Sequence, residues 1–210
     1  TRLIGALIMT HGDQRGLVMP PVVAPVQAVI VPIAAKKEGV LEACSALKER
    51  LQKAGVRVIL DYTDNSPGWK FNEWEMKGVP VRIELGPRDL EAGKMTVCRR
   101  DTLEKAELSL ENAEESIKAL LSEIAENMYN TAKERMEKRI VDAETLDELL
   151  DGVNRGNFVR AGWCGCRECE DKVKEFAQAT ARVYAKEDTA ATCVACGKKS
   201  AHTIVFARAY

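Results

Sequence analysis

The first half of the chain alternates between two kinds of apolar pattern. Short β-rich runs with almost no polar positions predict strands that are covered on both faces. The segment 37–54 instead carries a helical stripe, and Gly55 stands where a helix usually ends. This alternation predicts an α/β fold with a mixed or mainly parallel sheet flanked by helices. The stripe consists of Val40, Cys44, Leu47 and Leu51; the predicted strands are VQAVIVPI (26–33), VRVILDY (56–62), PVRIELG (80–86) and KMTVCRR (94–100), and GWKFNEWEMKG (68–78) is a short helix.

Two further segments complete this half of the chain. LIGALIM (3–9) is a continuous apolar run that predicts a buried helix, and the turn formers after it predict a loop that closes on Pro20 and Pro21. PRDLEAG (87–93) lies between the last two predicted strands and is interpreted as a turn.

The pattern changes from residue 112 onward. Apolar residues recur at helical spacing among Glu and Lys as far as about residue 140, which predicts one long amphipathic helix. Its stripe is short and irregular, so packing on its own domain is favoured over a coiled-coil dimer. A second helix is predicted around residues 143–150, ending at Gly152, and the rest of the chain has the alternation expected of a small α+β domain. The stripe of the long helix consists of Ile117, Leu120, Leu121, Ile124, Met128 and Met136.

Composition and charge narrow the class of protein. The chain is 46% hydrophobic and 30% charged over 210 residues, as in ordinary globular proteins. Its 31 basic and 32 acidic side chains give a net charge of −1, so any contact with RNA must come from a local arrangement of residues. No run approaches the roughly 18 apolar residues of a membrane span, and no membrane partner is expected. The first residues do not resemble a secretory leader, and the seven cysteines then indicate reduced thiols and a cytoplasmic protein.

Five of the cysteines fall into two clusters near the end of the chain. GWCGCRECED (162–171) holds three of them and CVACG (193–197) holds two. Two turns that each present two thiolates are what a tetrahedral zinc site requires, whereas one residue between sulfurs is too few for a redox Cys-x-x-Cys turn. The sequence therefore predicts a closed, structural zinc site. Spacing alone leaves the ligands of the first cluster open, and the simple Cys-x-x-Cys pattern favours Cys166 and Cys169.

Three other residues with metal-binding side chains are assigned to no site. Four sulfurs already close a zinc coordination shell, so His202 is expected on the surface. Cys44 lies on a helical stripe and Cys98 in a predicted strand, and both are expected to be ordinary core thiols.

Four ordered blocks of the sequence resemble one enzyme family. Together they are similar to the C-terminal part of the prolyl-tRNA synthetases, in particular to the archaeal and eukaryotic-like form with an extra zinc-binding domain. The resemblance implies the end of a class II catalytic domain in residues 1–21, an anticodon-binding domain in 22–130 and a zinc-binding domain in 131–210. The blocks are TRLIGALIMTHGDQRGLVMPPVVAPVQAVIVPI, WKFNEWEMKGVPVRIELGPRDLE, CRRDTLEK and the closing VFARAY.

The resemblance also implies an activity for the full-length enzyme. Members of the family form homodimers that activate proline with ATP and Mg²⁺ and attach it to the proline tRNA. Only the end of their third catalytic motif corresponds to this sequence, so the chain alone is expected to be inactive. The resemblance assigns Arg2 to the ATP phosphates, for which a guanidinium fork is suited. It assigns Tyr210 to a C-terminal carboxylate that reaches toward the active site.

The anticodon-binding role rests on the same resemblance. The family reads the two guanines that proline anticodons share, and an unstacked guanine needs both carboxylates and basic groups around it. The resemblance carries this role to Glu75, Arg82, Asp89 and Lys105. Without the family, Arg82 and Glu84 would equally be the polar face of a strand.

The family pattern also selects among the remaining candidates. Cys-Gly-x-x-x-Cys assigns the metal to Cys164, Cys169, Cys193 and Cys196 and leaves Cys166 as a spare thiol.

The aromatic and basic residues near the anticodon-binding positions have simpler interpretations. Trp69, Phe71 and Trp74 are expected in the core rather than stacked on bases. Arg99 and Arg100 are candidates for phosphate contacts.

Two competing hypotheses come from other functional classes. The chain could be a free-standing anticodon-domain homologue that acts as an RNA-binding or scaffold module, although the remnant of the third motif in residues 1–12 speaks against this. Redox chemistry at the WCGC turn is the other, and it predicts a low-pKa thiol that reacts with or without a zinc chelator.

Overall fold

The computed structural model of the chain describes residues 2–208. These form two compact units, of which the first ends at Ala132 and the second begins at Lys133. The predicted division into three domains stays a prediction. The elements that begin in the first unit are α1 (Arg2–His11), β1 (Ala28–Pro32), α2 (Val40–Lys53), β2 (Val58–Leu60), α3 (Pro67–Met76), β3 (Val81–Leu85), α4 (Pro87–Glu91), β4 (Lys94–Arg99), β5 (Lys105–Ser109) and α5 (Ala113–Glu137).

The first unit is built on a five-stranded mixed sheet with the order β2-β1-β3-β4-β5. β1 is parallel to β2 and β3, and β4 is antiparallel to both of its neighbours. All five residues of β1 and of β3 are buried, as the continuous apolar run of β1 predicted. The predicted α/β class with a mixed sheet is therefore confirmed.

The two faces of this sheet are covered differently. One face, with Ile30 and Ile83, packs against the predicted stripes of α2 and α5 and forms the main core. The other face, with Val29 and Val31, packs a smaller cluster against α3. Each fully buried aliphatic side chain contributes roughly 1.5–3 kcal/mol, so the main core dominates the stability of the unit. The polar surface described below lies on the α3 side.

The structure corrects three of the predictions for this half. α1 is a helix, but it has no buried residue, and 85% of Leu3 is exposed, because nothing within the described residues covers it. PRDLEAG contains the short helix α4, which Asp89 caps by accepting a hydrogen bond from the N–H of Gly86 at 2.8 Å. β5 was missed because its exposed charged residues, Lys105 and Glu107, give an edge strand no apolar pattern.

The long helix α5 packs on its own unit, as predicted. Its buried side chains include Ile117, Leu121, Ile124 and Met128, whereas 49% of Met136 is exposed.

The second unit contains a four-stranded sheet with the order β6-β7-β9-β8. β6 and β7 are parallel, and the other pairs are antiparallel. Its core centres on Leu149, Val159, Val173 and Phe206, which confirms a small α+β domain. Its elements are β6 (Ile140–Ala143), α6 (Leu146–Asn154), β7 (Phe158–Trp163), α7 (Arg167–Ala177), β8 (Ala179–Tyr184) and β9 (His202–Arg208).

Helix α6 begins and ends later than predicted. Thr145 caps it by accepting from the N–H of Glu148 at 3.2 Å, and the helix continues through Gly152. Gly152 is a site of close packing rather than a stop signal, because a Cβ there would lie 2.6 Å from Val159 Cγ2.

No helix within residues 2–208 combines the length and the apolar character that a membrane crossing needs.

Candidate nucleic-acid interface and metal centre

A row of charged residues lies on the α3 side of the first sheet, and we call it the charged face. Side chains of one strand alternate between faces, so Arg82 and Glu84 point away from the main core that holds Ile83. Strand pairing extends their two rows across β4 and β5, because directly paired residues share a face. The charged face consists of Arg82, Cys98 and Lys105 in one row and Glu84, Thr96 and Glu107 in the next.

Arg82 is the centre of this surface. Its side chain is 7% exposed and donates to Glu75 Oε1 at 2.9 Å and to Glu84 Oε1 at 3.1–3.2 Å. Its guanidinium carbon lies 4.0 Å from the centroid of the Phe71 ring, within cation–π distance. These contacts hold the guanidinium on three sides.

Glu84 is a residue that the sequence-based assignment left without a role. Its carboxylate joins Arg82 to Lys105, whose Nζ lies 2.9 Å from it. The signal that could have found it is its position two residues after Arg82 on the same strand, which places both on one face. Lys105 is half exposed, so its ammonium is accessible at the edge of the charged face.

Glu75 approaches the charged face from the last turn of α3. It accepts from Arg82 and, at 3.1 Å, from Arg15. Burial alone would raise the pKa of Glu75, but the hydrogen bonds from Arg82 and Arg15 lower it, so the carboxylate stays ionised.

Asp89 occupies a capping position next to the same surface. Besides the N–H of Gly86, it accepts from the Thr96 hydroxyl at 3.3 Å, and Thr96 is paired with Glu84 across β3 and β4. All four predicted anticodon-binding residues therefore lie around one surface, with Asp89 at its rim.

The structure places both basic residues proposed for phosphate contacts in ion pairs with aspartates. Arg100 is only 2% exposed and pairs with Asp13 at 2.7 Å, so its assignment as a phosphate contact is wrong. The hydrogen bond from Arg100 lowers the pKa of Asp13 to about 2. Arg99 is mostly buried and bonds bidentately to Asp101 at 2.7 and 3.0 Å. Both arginines therefore serve mainly to hold loops of the first unit.

The three aromatic residues of α3 differ in burial. Phe71 and Trp74 pack against the smaller cluster of the sheet, as predicted. Trp69 is 51% exposed, so its assignment to the core is wrong. It lies in the first turn of α3, where Ser66 Oγ accepts from its backbone N–H.

Four of the seven cysteines come together in the second unit. The Sγ atoms of Cys164, Cys169, Cys193 and Cys196 all lie within 4.8 Å of one another, and we call them the cysteine cluster. Four thiolates in a tetrahedron about 2.3 Å from one zinc ion would be about 3.8 Å apart. The Cys164–Cys169 and Cys164–Cys196 sulfur distances are 3.6 and 3.9 Å. The arrangement therefore fits a tetrahedral, all-sulfur metal site.

Local turns position each half of the cysteine cluster. Cys164 follows β7 directly, and Cys169 lies in the first turn of α7. The Trp163 indole Nε1 donates to the carbonyl of Cys166 at 2.9 Å and fixes the turn between them. In the second half, Gly197 N–H donates to the carbonyl of Cys193 at 2.8 Å and closes the turn that holds Cys193 and Cys196.

The second turn rests on the backbone of β7. Val194 N–H donates to the carbonyl of Gly162 at 2.9 Å, and a Cβ at Gly162 would lie only 2.0 Å from the carbonyl oxygen of Thr192. Only a glycine at this position lets the two halves of the cluster approach each other.

The electrostatics of the cluster suit a thiolate site. Burial raises the pKa of Cys193, but hydrogen bonds from backbone N–H groups, that of Ala195 first, lower it to about 7. Burial and the neighbouring sulfurs raise the pKa of Cys169. Without a cation, four sulfurs this close cannot all ionise, and a bound metal is what would deprotonate the remaining thiols.

The other thiols and His202 lie outside the cluster. Cys166 is exposed, and its Sγ donates to Glu168 Oε2. Burial raises the pKa of Cys44 to about 12, and Cys98 is also buried, so both are core thiols as predicted. His202 is partly exposed beside Asp188 and the ring of Tyr184.

Of the two residues proposed for the catalytic site, the structure describes only one. Arg2 is exposed in the first turn of α1. Tyr210 lies outside the described residues.

Comparison with known proteins adds an independent line of observation. The family model described as "Anticodon binding domain" matches residues 27–120, which contain the whole charged face. The model described as "Prolyl-tRNA synthetase, C-terminal" matches residues 146–210, which contain the cysteine cluster. The chain belongs to the prolyl-tRNA synthetase family. It corresponds to the C-terminal portion of these enzymes.

Individual relatives agree with this placement. The chain is 47% identical over 212 residues to a proline–tRNA ligase of Oceanobacillus iheyensis and 49% identical over 214 residues to one of Alkaliphilus oremlandii. Each match covers 100% of this chain and 44% of the relative, so the chain spans less than half the length of these ligases. It also matches the crystal structure of a Cryptosporidium parvum prolyl-tRNA synthetase complexed with L-proline and AMP. That match has 38% identity and a TM-score of 0.95, and it covers 100% of this chain and 46% of that one.

Proposed function

We propose that the chain is the tRNA-recognition and metal-binding part of a proline–tRNA ligase. In this proposal the whole enzyme uses ATP and Mg²⁺ to activate proline and attaches it to the proline tRNA, as a cytoplasmic homodimer. The relatives supply the activity by name, and the solved relative binds proline and AMP. Within the chain, Arg2 would contact the ATP phosphates and Tyr210 would approach the active site. The chain alone would have no ligase activity.

The charged face carries the proposal for anticodon reading. A guanine presents N1–H and N2–H donors on one edge and the O6 and N7 acceptors beside them. Glu75, Glu84 and Asp89 are acceptors, whereas Arg82 and Lys105 are donors, and all five lie around one surface. An unstacked guanine would therefore find both halves of its hydrogen-bonding pattern there.

The pairing of these charges with one another is the observation on which the mechanism depends. Arg82 is held by two carboxylates and the Phe71 ring, so protein contacts set the orientation of its guanidinium. The near neutrality of the surface also agrees with the net charge of −1, because base edges rather than a bulk positive field would supply the specificity.

Zinc is the metal that we propose for the cysteine cluster. Four thiolates at tetrahedral spacing leave no open coordination position, so Cys164, Cys169, Cys193 and Cys196 would hold the ion for a structural purpose. The zinc would tie the turn after β7 to the turn that contains Cys193, and it would take no part in the chemistry.

A titration with two anticodon stem-loops tests the anticodon-reading proposal. One stem-loop carries the proline NGG anticodon, and in the other both guanines are replaced; binding is measured by fluorescence anisotropy at a fixed, stated salt concentration. We expect the wild-type chain to prefer NGG and Arg82→Ala to lose that preference. Arg160→Ala is the matched control, because Arg160 is a partly exposed arginine of the second unit paired with Asp142. Equal binding of both stem-loops by the wild type would contradict the proposal.

A further inference from the structure

Helix α3 separates the charged face from a second surface of the first unit. Phe71 and Glu75 lie on the flank of α3 next to Arg82. Lys70 and Trp74 lie on the other flank, where both contact Asp61. The two pairs are offset by one position along the helix, so one short element borders both surfaces.

The second surface contains two adjoining cavities that share Tyr62, Thr63 and Asn65, and we call them together the Tyr62 groove. Their volumes are about 460 and 750 Å³, large enough for a nucleotide. Pro32 lines one of them and Leu60 the other, so the groove lies at the carboxyl ends of the parallel strands β1 and β2. In open α/β sheets ligands bind at this edge.

The walls of the groove expose aromatic rings. Tyr62 is 75% exposed and Trp69 is 51% exposed, and both line the smaller cavity. Large rings exposed in a groove are suited to stacking on bases, since every base has a flat face.

The floor of the groove is rigid. Trp74 Nε1 donates to Asp61 Oδ2 at 2.7 Å, and Lys70 Nζ donates to the Asp61 carbonyl at 2.9 Å. Burial would raise the pKa of Asp61, but hydrogen bonds from Thr63 and Trp74 lower it, so the carboxylate stays ionised and pairs with Lys70. An incoming base would therefore not have to order these groups.

The accessible charges of the groove are mainly positive. Lys70 and Lys77 are paired with carboxylates, Asp61 and Glu73. Three other lining lysines form no ion pair within residues 2–208, and Asp64 is the remaining carboxylate of the lining. The three lysines are Lys36, Lys37 and Lys48. Such a combination of rings and free ammonium groups is complementary to a nucleotide and its phosphate.

We propose that the Tyr62 groove is a second nucleotide subsite, which takes an unstacked nucleotide of a single-stranded RNA segment. The base stacks on the exposed rings of Tyr62 and Trp69, and the phosphate lies near Lys36 and Lys37. The inference rests on the proposed RNA recognition, because the RNA would pass over α3 from the charged face to the groove. Since stacking on rings accepts the flat face of any base, the groove adds affinity without choosing the base.

The test uses the same two stem-loops with variants of the groove. We expect Trp69→Ala and Tyr62→Ala each to weaken binding of both stem-loops by the same factor, about 5- to 100-fold, and to keep the preference for NGG. Lys36→Ala with Lys37→Ala should reduce the slope of log affinity against log salt by about 0.7 per lost phosphate contact. Trp69→Phe keeps a ring and should restore most of the binding, which separates stacking from a folding defect.

The outcomes separate this proposal from anticodon reading. In one outcome Arg82→Ala loses the NGG preference, while Trp69→Ala and Tyr62→Ala bind RNA like the wild type. This would overturn the proposal for the groove and leave the anticodon proposal intact. If the wild type shows no NGG preference but Trp69→Ala still weakens binding of both RNAs, only the anticodon proposal fails. Binding of free AMP is the last measurement. Trp69-dependent binding of AMP, with RNA binding unchanged in Trp69→Ala, would assign the groove to a free nucleotide and overturn the RNA subsite.

Discussion

The charged face and the cysteine cluster hold polar groups together in opposite ways. On the charged face, Arg82 and Lys105 neutralise Glu75 and Glu84, so the surface is complete without any added group. In the cysteine cluster the four sulfurs have the same charge when ionised, and they lie within 4.8 Å of one another. The charged face therefore balances its charges with its own side chains, whereas four thiolates in the cluster would need a metal ion to balance theirs.

Removal of the metal should have the largest effect and should be confined to the second unit. Binding of structural zinc is worth about 10–16 kcal/mol in small zinc-finger peptides, and we expect a loss of several kcal/mol here, because this unit also has its own core. Cys169→Ser or a strong chelator should abolish stoichiometric zinc, measured by elemental analysis, and lower the unfolding temperature of the second unit.

Cys166→Ser is the matched control for this prediction, since Cys166 lies outside the cluster. It should keep one zinc per chain. Retention of zinc by Cys169→Ser, or its loss in Cys166→Ser, would show that the ligands are wrongly assigned.

Disrupting the charged face should lower the free energy of unfolding by less, because its carboxylates keep other basic partners. Arg82→Ala leaves two mostly buried carboxylates without their main partner, although Glu75 keeps Arg15 and Glu84 keeps Lys105. Loss of one partner from a buried ion pair typically costs 3–5 kcal/mol, and we expect the lower end of that range, measured by urea unfolding. A cost below about 1 kcal/mol, comparable with that of a surface pair such as Arg160 with Asp142, would mean that the network is not pre-organised.

A single methyl group should test how closely the halves of the cysteine cluster must approach. In Gly162→Ala the new Cβ would lie 2.0 Å from the Thr192 carbonyl oxygen, so the second turn must move away from β7. Overpacking of this kind costs about 1–3 kcal/mol, and zinc affinity in a competition with a chromogenic chelator should fall with it. Gly68→Ala is the control, because a Cβ at Gly68 meets nothing within 4 Å. Unchanged zinc affinity in Gly162→Ala would show that the two turns move independently.

The smallest effect is expected from acid titration of Asp13. Its hydrogen bond from Arg100 lowers its pKa from 3.8 to about 2, so the ion pair stabilises the folded state fully above pH 3.8 and is lost as the pH falls toward 2. Asp13 is 42% exposed, so we expect no more than about 1 kcal/mol after solvent screening. The stability difference between the wild type and Asp13→Asn should shrink between pH 4 and pH 2 in urea unfolding. A difference that stays constant over this range would contradict the assignment.

The helices and strands of the first unit could be predicted where the residue pattern has only one interpretation. The stripe of α2 and the continuous run of β1 have no competing interpretation, so both were found with their buried sides. β5 and the burial of α1 could not be found, because an exposed edge strand has no apolar period and the burial of a helix depends on what covers it. The same limit explains two wrong assignments. Trp69 was predicted in the core and is exposed, and Arg100 was predicted to contact phosphate and is buried.

The cysteine cluster was determined largely by the sequence itself, because its thiols lie in short turns in which spacing fixes geometry. Even there, spacing alone favoured Cys166, and only the family pattern and the structure placed Cys164 among the four sulfurs. The charged face and the Tyr62 groove were decided by tertiary structure. Strand register brings Lys105 to Glu84 from 21 positions away, and the direction of α3 decides which of its side chains meet Arg82 and which meet Asp61. Contacts of this kind depend on how elements pair and pack, and no local pattern of residues encodes them.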